Sequence, residues 1–440
     1  MCLGARHPLG GDPVTGAHPT DADQATCEPL VAPFAGWVVH PDWADRVISR
    51  AYDNLSPVQR QALVSSNPYS YMNVTRSRDD VFDNADLSLE DLVAQGAAAL
   101  TRLLNTRAFV PTGRPALYLY RLTHKQGTQT GVVCTVPVKG FDDGRIRIHE
   151  NVHDERADLL TAHLQGVGAT SSPVAMAVRS TTELYNHLYD ITSASPADLE
   201  FGSTAVRHQI WTVPDDRTES LVAAFDNQVL YVTDGHHRSA AAVRAMAAEP
   251  NNTALARTLA VVFPDEQLHV QAFHRLAVDQ NDRSAEDCLA ALDDVVEVKS
   301  VFSSMQARPQ HRGVAGLYLG GSWHQMDLPP AVGNAAVNGL DVERLRRSIL
   351  DPVLGADELG VPGAVEYLPA SLGFDELARR CDAEKRVGFA LHPMTVRELM
   401  AVADESGLMP PKSSFFAPKP RSGVFLRVLG RGATAHLSAS

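Results

Sequence analysis

The run Tyr231-Val232-Thr233-Asp234-Gly235-His236-His237-Arg238-Ser239 limits this chain more than any other stretch. An apolar strand over Val229 to Thr233 stops at Asp-Gly. An Ala-rich helix over Ser239 to Ala248 follows and ends at Glu249-Pro250. A strand that turns at once into a helix exposes the helix's first N–H groups at the positive end of its dipole, and such a terminus binds phosphate. Gly235 allows a backbone geometry that other residues resist. Arg238 can offer two parallel hydrogen bonds to phosphate oxygens. His236 and His237 can donate to phosphate or move protons near neutral pH, with Ser239 opening the helix behind them. Asp234 is the candidate Mg2+ ligand, because that ion prefers a carboxylate together with phosphate oxygens. The competing reading is a common Asp-Gly turn whose histidines satisfy nearby backbone groups.

A second signal is His149-Glu150-Asn151-Val152-His153, which literally matches HExxH. The zinc-protease use of that pattern needs both histidines on one helical face. Here Arg145 to Ile148 alternates like a strand and delivers His149-Glu150 at its end, so a helix is not expected. Seventeen histidines also make a chance match less rare. A carboxylate at a strand end, facing a phosphate-binding turn, suits a general base acting on a hydroxyl. A third cluster runs from Met409 to Pro420 and contains Lys412, Ser413, Ser414, Phe415, Phe416 and Lys419. It reads either as a proline-stiffened surface loop or as a lid packed over an anionic ligand. His274-Arg275, at the end of a strand over Val270 to Phe273, could add an anion contact or be structural. There is no GxxxxGK[ST] loop and no kinase-type glycine loop, so any nucleotide is held by another scaffold.

Composition narrows the partners. The net charge is −13 and no Lys/Arg run is present, which argues against nucleic acid. Hydrophobic residues are 44% and charged residues 21%, ordinary for a folded protein. Cys2, Cys27, Cys134, Cys288 and Cys381 form no CxxC pair and read as isolated thiols. No apolar stretch suits a membrane helix and no signal peptide is evident, so a cytoplasmic location is expected.

Along the chain, residues 1–28 read as a flexible tail, 29–140 as an N-terminal α+β segment, 141–280 as the catalytic core, and 281–440 as a C-terminal α+β domain closing over the site. Ser88 and Asp91 predict a helix cap before Leu89, Leu92, Val93, Leu100, Leu103 and Leu104, which recur at helical spacing. Strands are expected at Ala116 to Arg121 and Thr130 to Val138 as an antiparallel pair, and at Leu259 to Phe263. A helix is expected from Asp154 to Gln165. Leu317 to Leu319 and Trp323 to Leu328 predict a hairpin across Gly320-Gly321-Ser322. Asp341 is expected to cap a helix, and Thr395 with Glu398 to form a capping box on a helix that Gly407 ends.

Taken together, the strand-end HE, the DGHHR turn and the Met409 to Pro420 segment resemble the bacterial and archaeal family labelled domain of unknown function ten-fifteen. The core is similar to the ParB/sulfiredoxin superfamily and in particular to the free serine kinases. The likeness runs from Pro33-Phe34 to Gly423, with Tyr52-Asp53, Asn67-Pro68-Tyr69, Trp211, His274-Arg275 and the Asp341 to Gly355 segment in support. It implies an α+β protein with a ParB/sulfiredoxin-like mixed-sheet catalytic core and accessory N- and C-terminal α/β segments. It also implies phosphorylation of free serine, or of a serine-like hydroxylated amino acid or metabolite, from ATP or ADP with Mg2+. By that resemblance Glu150 takes the hydroxyl proton and Asp234 assists as metal ligand or second carboxylate. His149 orients a phosphate, and Gly235, His236, His237, Arg238 and Ser239 hold the transferring group. The sequence departs from the family where Lys-x-Asp-Arg is replaced by Arg156-Ala157-Asp158-Leu159 and where Arg50-Ala51 precede Tyr52-Asp53. Those departures leave the acceptor open. Two other classes stay in view: a nucleotide-binding switch without kinase activity, and a zinc hydrolase through His149 and His153.

Overall fold

The computed structural model describes residues 28–50, 55–75, 87–358, 360–430 and 434. Tyr52-Asp53, Cys2, Cys27 and nearly all of the tail expected over 1–28 lie outside the described residues.

An eight-stranded mixed sheet organises the chain. Its spatial order is Ile146–Arg147, Leu230–Asp234, Val174–Val178, Arg257–Pro264, Gly127–Pro137, Tyr118–His124, Val206–Thr212 and Leu199–Gly202. Residues 140 and 141 therefore lie between strands of one sheet rather than between separate layers. The strands form because their residues alternate between two buried faces. Tyr118, Tyr120 and Leu122 enter one core, while Leu117 and Leu119 enter the other. Leu259, Val261 and Phe263 alternate in the same way with Ala260 and Val262. Covering both faces explains why these strands read as nearly continuous apolar runs. On one face Leu184, Leu188 and Ile191 of the helix Thr182–Ala194 close the core.

The expected antiparallel pair is present as Tyr118–His124 and Gly127–Pro137, joined by a tight turn with His124 opposite Gly127. The helix expected from Asp154 spans Asp154–Val167, and the Ala-rich helix starts earlier than expected, at His236. Ser88 and Asp91 do make a reciprocal capping box on Leu89–Asn105, and Thr395 with Glu398 does so on Val396–Asp404.

A six-stranded antiparallel sheet holds Phe273–Ala277, Val298–Val301, Val314–Leu319, Ser322–Asp327, Val365–Pro369 and Val387–Leu391. The glycine hairpin joins Val314–Leu319 to Ser322–Asp327, with Leu319 opposite Ser322. The single strand expected at Val270 to Phe273 is split. Val270–Gln271 pairs with Phe415–Phe416, whereas Phe273–Ala277 belongs to the six-stranded sheet. The chain must cross between sheets at Ala272, which period-2 patterning does not register. Asp341 is not a helix cap either. Leu340 occupies that position, and the Asp341 carboxylate instead accepts from the Gly313 N–H at 2.9 Å. A small sheet of Phe109–Pro111, Trp37–Val39, Phe425–Val428 and Ala169–Thr170 ties both ends of the chain to the middle. Among the described residues no helix is long and apolar enough to cross a membrane.

Candidate active site

The short strand Ile146–Arg147 runs parallel to Leu230–Asp234 at the sheet edge, with Leu230 opposite Ile146 and Tyr231 opposite Arg147. Parallel neighbours release their following residues at the same end of a sheet. His149-Glu150 and Asp234-Gly235 consequently emerge side by side. Glu150 Oε2 lies 3.5 Å from His236 Nδ1, and the rings of His149 and His236 meet edge to face with centroids 4.5 Å apart. The carbonyl of His149 accepts from the Met409 N–H at 2.9 Å, which fixes the HE segment against the C-terminal region. Asp404 strengthens the same junction. Its carboxylate accepts from Tyr231 Oη at 2.6 Å and Arg179 at 2.7 Å, and it pairs with Arg147.

A register shift between Val232 and Asp234 marks where the strand turns out of the sheet. Gly235 follows with φ of 102°, and a Cβ there would lie 2.9 Å from the Arg238 guanidinium. The backbone angle favours glycine, and a side chain there would also displace the Arg238 guanidinium. Gly235 provides no side-chain cap to the helix His236–Ala248. The helix start thus keeps the polarity that suits an anion.

Asp234 is held on both oxygens by cations, Oδ1 by Lys419 and Oδ2 by Arg238 at 2.5 Å. Burial would raise its carboxyl, but the Lys419 and Arg238 charges outweigh burial and hold it at about 2. Burial lowers His236 to about 4, helped by His237, Arg238 and Lys419 and opposed by Asp234. Burial also pushes His149 well below the usual histidine value, with His236 adding to the effect. Both imidazoles are therefore neutral near pH 7. His237 faces the opposite way, its Nε2 accepting from the His153 N–H at 3.2 Å while the two rings stack.

The helical geometry that the zinc-hydrolase alternative needs is absent, in keeping with the strand-like alternation of Arg145 to Ile148. Residues 149–153 are not helical, because the helix starts at Asp154 with His153 as its cap. The cluster that could hold a metal is instead His149, Glu150 and His236, with no part for His153.

Above this floor lies a cleft of about 1700 Å³, lined by Glu150, Asp234, Gly235, His236, His237 and Arg238. Lys412, Ser414 and Lys419 of the C-terminal segment line it as well, as do Phe415 and Phe416. The expected lid residues separate into two groups. Lys412, Ser414 and Lys419 face the cleft, whereas Ser413 is buried and donates to the Pro410 carbonyl at 2.6 Å. Arg275 is also not a ligand contact. It is fully buried, paired with Glu358 at 3.1 Å, and donates to the Pro411 and Lys412 carbonyls. His274 is buried too, accepting from the Leu391 N–H at 3.2 Å and stacking on Phe374. Arg275 thus anchors the Pro411-Lys412 backbone from beneath. Ser239 is buried at the start of its helix, its hydroxyl donating to the Gly235 carbonyl at 3.3 Å.

Sequence reasoning missed part of the cationic lining. Arg50, Arg156 and Arg421 reach the cleft from three distant segments. Arg421 simply continues the Pro-Lys-Pro-Arg run, a signal that was legible. Its backbone N–H donates to Tyr120 Oη at 3.1 Å, and Tyr120 Oη is 2.9 Å from His208 Nδ1. These cations concentrate positive charge in a chain of net −13. The three described cysteines, Cys134, Cys288 and Cys381, are free and buried.

Several solved structures show a partial similarity to this chain. A free serine kinase mutant in complex with AMP is 12% identical at a TM-score of 0.34, over 65% of this chain and 87% of that one. A conserved hypothetical protein from Pyrococcus furiosus is 13% identical at 0.34, over 68% of this chain and 95% of that one. SbnI with C-terminal truncation, from Staphylococcus aureus, is 11% identical at 0.33, over 66% and 85%. Comparison with curated proteins gives no match. A family model described as Protein of unknown function (DUF1015) matches residues 31–343, and the chain belongs to that family.

Proposed function

We propose that this protein is a nucleotide-dependent phosphotransferase acting on the hydroxyl of a small molecule, serine or a serine-like amino acid or metabolite. The observation that carries the reading is the meeting of Glu150 with the Asp234 to Arg238 turn at the floor of one cleft, 3.5 Å apart at His236. A carboxylate beside a phosphate-binding helix start is the pairing that hydroxyl phosphorylation needs.

In this reading the acceptor hydroxyl gives its proton to a Glu150 oxygen as its own oxygen attacks the terminal phosphorus. The bond from that phosphorus to its bridging oxygen breaks, and the nucleotide, one phosphate shorter, leaves with the bridging oxygen. Arg238 and Lys419, poised on Asp234, are the cations nearest the turn, and Lys412 and Arg421 extend the charge along the cleft. ATP or ADP fits such a lining, because its phosphates need several cations and free N–H donors. A Mg2+ ion brought by the nucleotide would neutralise charge on the transferring oxygens. Asp234 is the carboxylate within reach for it and is ionised, though Lys419 or Arg238 must yield one of its oxygens. The mixed sheet that carries HE and DGHHR on adjoining strands supports the ParB/sulfiredoxin-like description of the core. Residues 281–440 supply the closing segment in this scheme, through Lys412 and Lys419.

The test is phosphate transfer from ATP and from ADP across a panel of hydroxyl amino acids. Transfer to one of them, lost in Glu150→Gln, is the expected outcome. Nucleotide binding without transfer to any hydroxyl would reject the reading.

A further inference from the structure

We propose that His149, Glu150 and His236 form a three-ligand site for a divalent first-row transition metal of the zinc class. One ligand atom from each lies within 4.8 Å of the others, and no other group of this kind occurs among the described residues. The separation of His236 Nδ1 from Glu150 Oε2 is 3.5 Å. Two ligands held tetrahedrally at about 2.1 Å from zinc sit roughly 3.4 Å apart, so that edge is already near its bound length.

The second observation is independent of the clustering. His149 is fully buried and neither ring nitrogen has a hydrogen-bond partner. His236 is 5% exposed and its Nε2 also lacks one. Buried polar atoms are nearly always satisfied, and leaving one without a partner is costly. The two orphaned nitrogens of His149, whose ring packs on that of His236 while His236 Nδ1 faces Glu150, are accounted for by a bound ion. The donor set selects the ion. Imidazole nitrogen favours zinc, cobalt or nickel, whereas Mg2+ prefers oxygen and keeps its waters. Glu150 and His236 line the cleft, so a fourth position faces it.

This set differs from HExxH in using His236, from the DGHHR turn, in place of His153. The ion and the hydroxyl compete for Glu150. That consequence rests on the phosphotransfer reading; the binding itself does not.

The test is direct binding by the full chain, stripped with a chelator and titrated with Co2+ while its visible absorption is followed. One equivalent should develop ligand-field bands, and one equivalent of Zn2+ should remove them. Excess Mg2+ should leave them unchanged. Glu150→Gln and His236→Ala should each weaken Co2+ binding by about 100-fold or more, at least the upper end of what losing an outer-shell partner costs. His236→Ala removes a buried ring, so Glu150→Gln, checked by thermal melting, decides alone if the other fails to fold. Two results overturn the site: a folded wild-type chain that retains no ion because water fills the cluster, or equal affinity in Glu150→Gln. Since binding is read without nucleotide or acceptor, its failure leaves the phosphotransfer assay untouched.

Discussion

Lys419 and Arg238 grip opposite oxygens of Asp234, one from the C-terminal segment and one from the first turn of the helix that follows the aspartate. The C-terminal segment and the Asp234 to Arg238 turn therefore share one buried carboxylate. Removing either partner separates a structural role from a binding role. Lys419→Met should destabilise the protein by about 1–3 kcal/mol, because Asp234 loses one of two charge partners. It should also weaken nucleotide binding about tenfold or more. Adding Asp234→Asn should recover much of the melting temperature without recovering affinity. Thermal melts with calorimetric titration of ADP check both parts.

The pH response divides into two windows. His236 is lowered to about 4 from an ordinary 6.5, so the unfolded chain binds its proton first and stability falls as pH drops from 6.5 towards 4. Asp234 is lowered to about 2 from 3.8, so its contribution is complete above 3.8 and is lost as pH falls through 2. Denaturant titrations should show His236→Gln reducing the slope of the upper window without abolishing it, because burial lowers His149, His208 and His274 in the same direction. Asp234→Asn should flatten the lower one, by on the order of 2 kcal/mol.

Gly235→Ala should be costly for its position alone. With φ of 102° and the Arg238 guanidinium 2.9 Å from a new Cβ, the turn must distort or Arg238 must move. A loss of about 1–3 kcal/mol is expected, with weakened nucleotide binding. Gly321→Ala, where the added Cβ meets nothing within 4 Å, is the control for a positive-φ glycine away from the site.

Asp404 ties Arg147, Arg179 and Tyr231 together at the edge of the sheet. Asp404→Asn should weaken its contacts with Arg147, Arg179 and Tyr231 and loosen the strand that delivers His149-Glu150. The expected effect is a lower kcat with nucleotide KM nearly unchanged, alongside a loss of about 1 kcal/mol. An equal fall in every parameter would indicate general unfolding instead.

Much of this site was legible because its parts are local. A strand ending in Asp-Gly and the alternation of Arg145 to Ile148 each sit within a few residues, as does the reciprocal cap of Ser88 and Asp91 elsewhere in the fold. What stayed hidden depends on tertiary placement. The split at Ala272 sends adjacent residues to different sheets, and nothing in the alternation of Val270 to Phe273 records it. Arg275 looks like a surface cation beside a histidine, yet burial and the carbonyls of Pro411 and Lys412 make it an anchor. The gathering of Arg50, Arg156 and Arg421 around one cleft is a property of the fold. Charge balance over the whole chain conceals it.

The most direct measurement is single-turnover transfer of labelled phosphate to the matching hydroxyl acceptor by wild type and by Glu150→Gln, with ADP or ATP affinity measured on the same samples. Glu150→Gln should slow transfer by about 10²–10⁴-fold while binding nucleotide as wild type does. Transfer at the wild-type rate in that variant would contradict the assignment of Glu150 as the base.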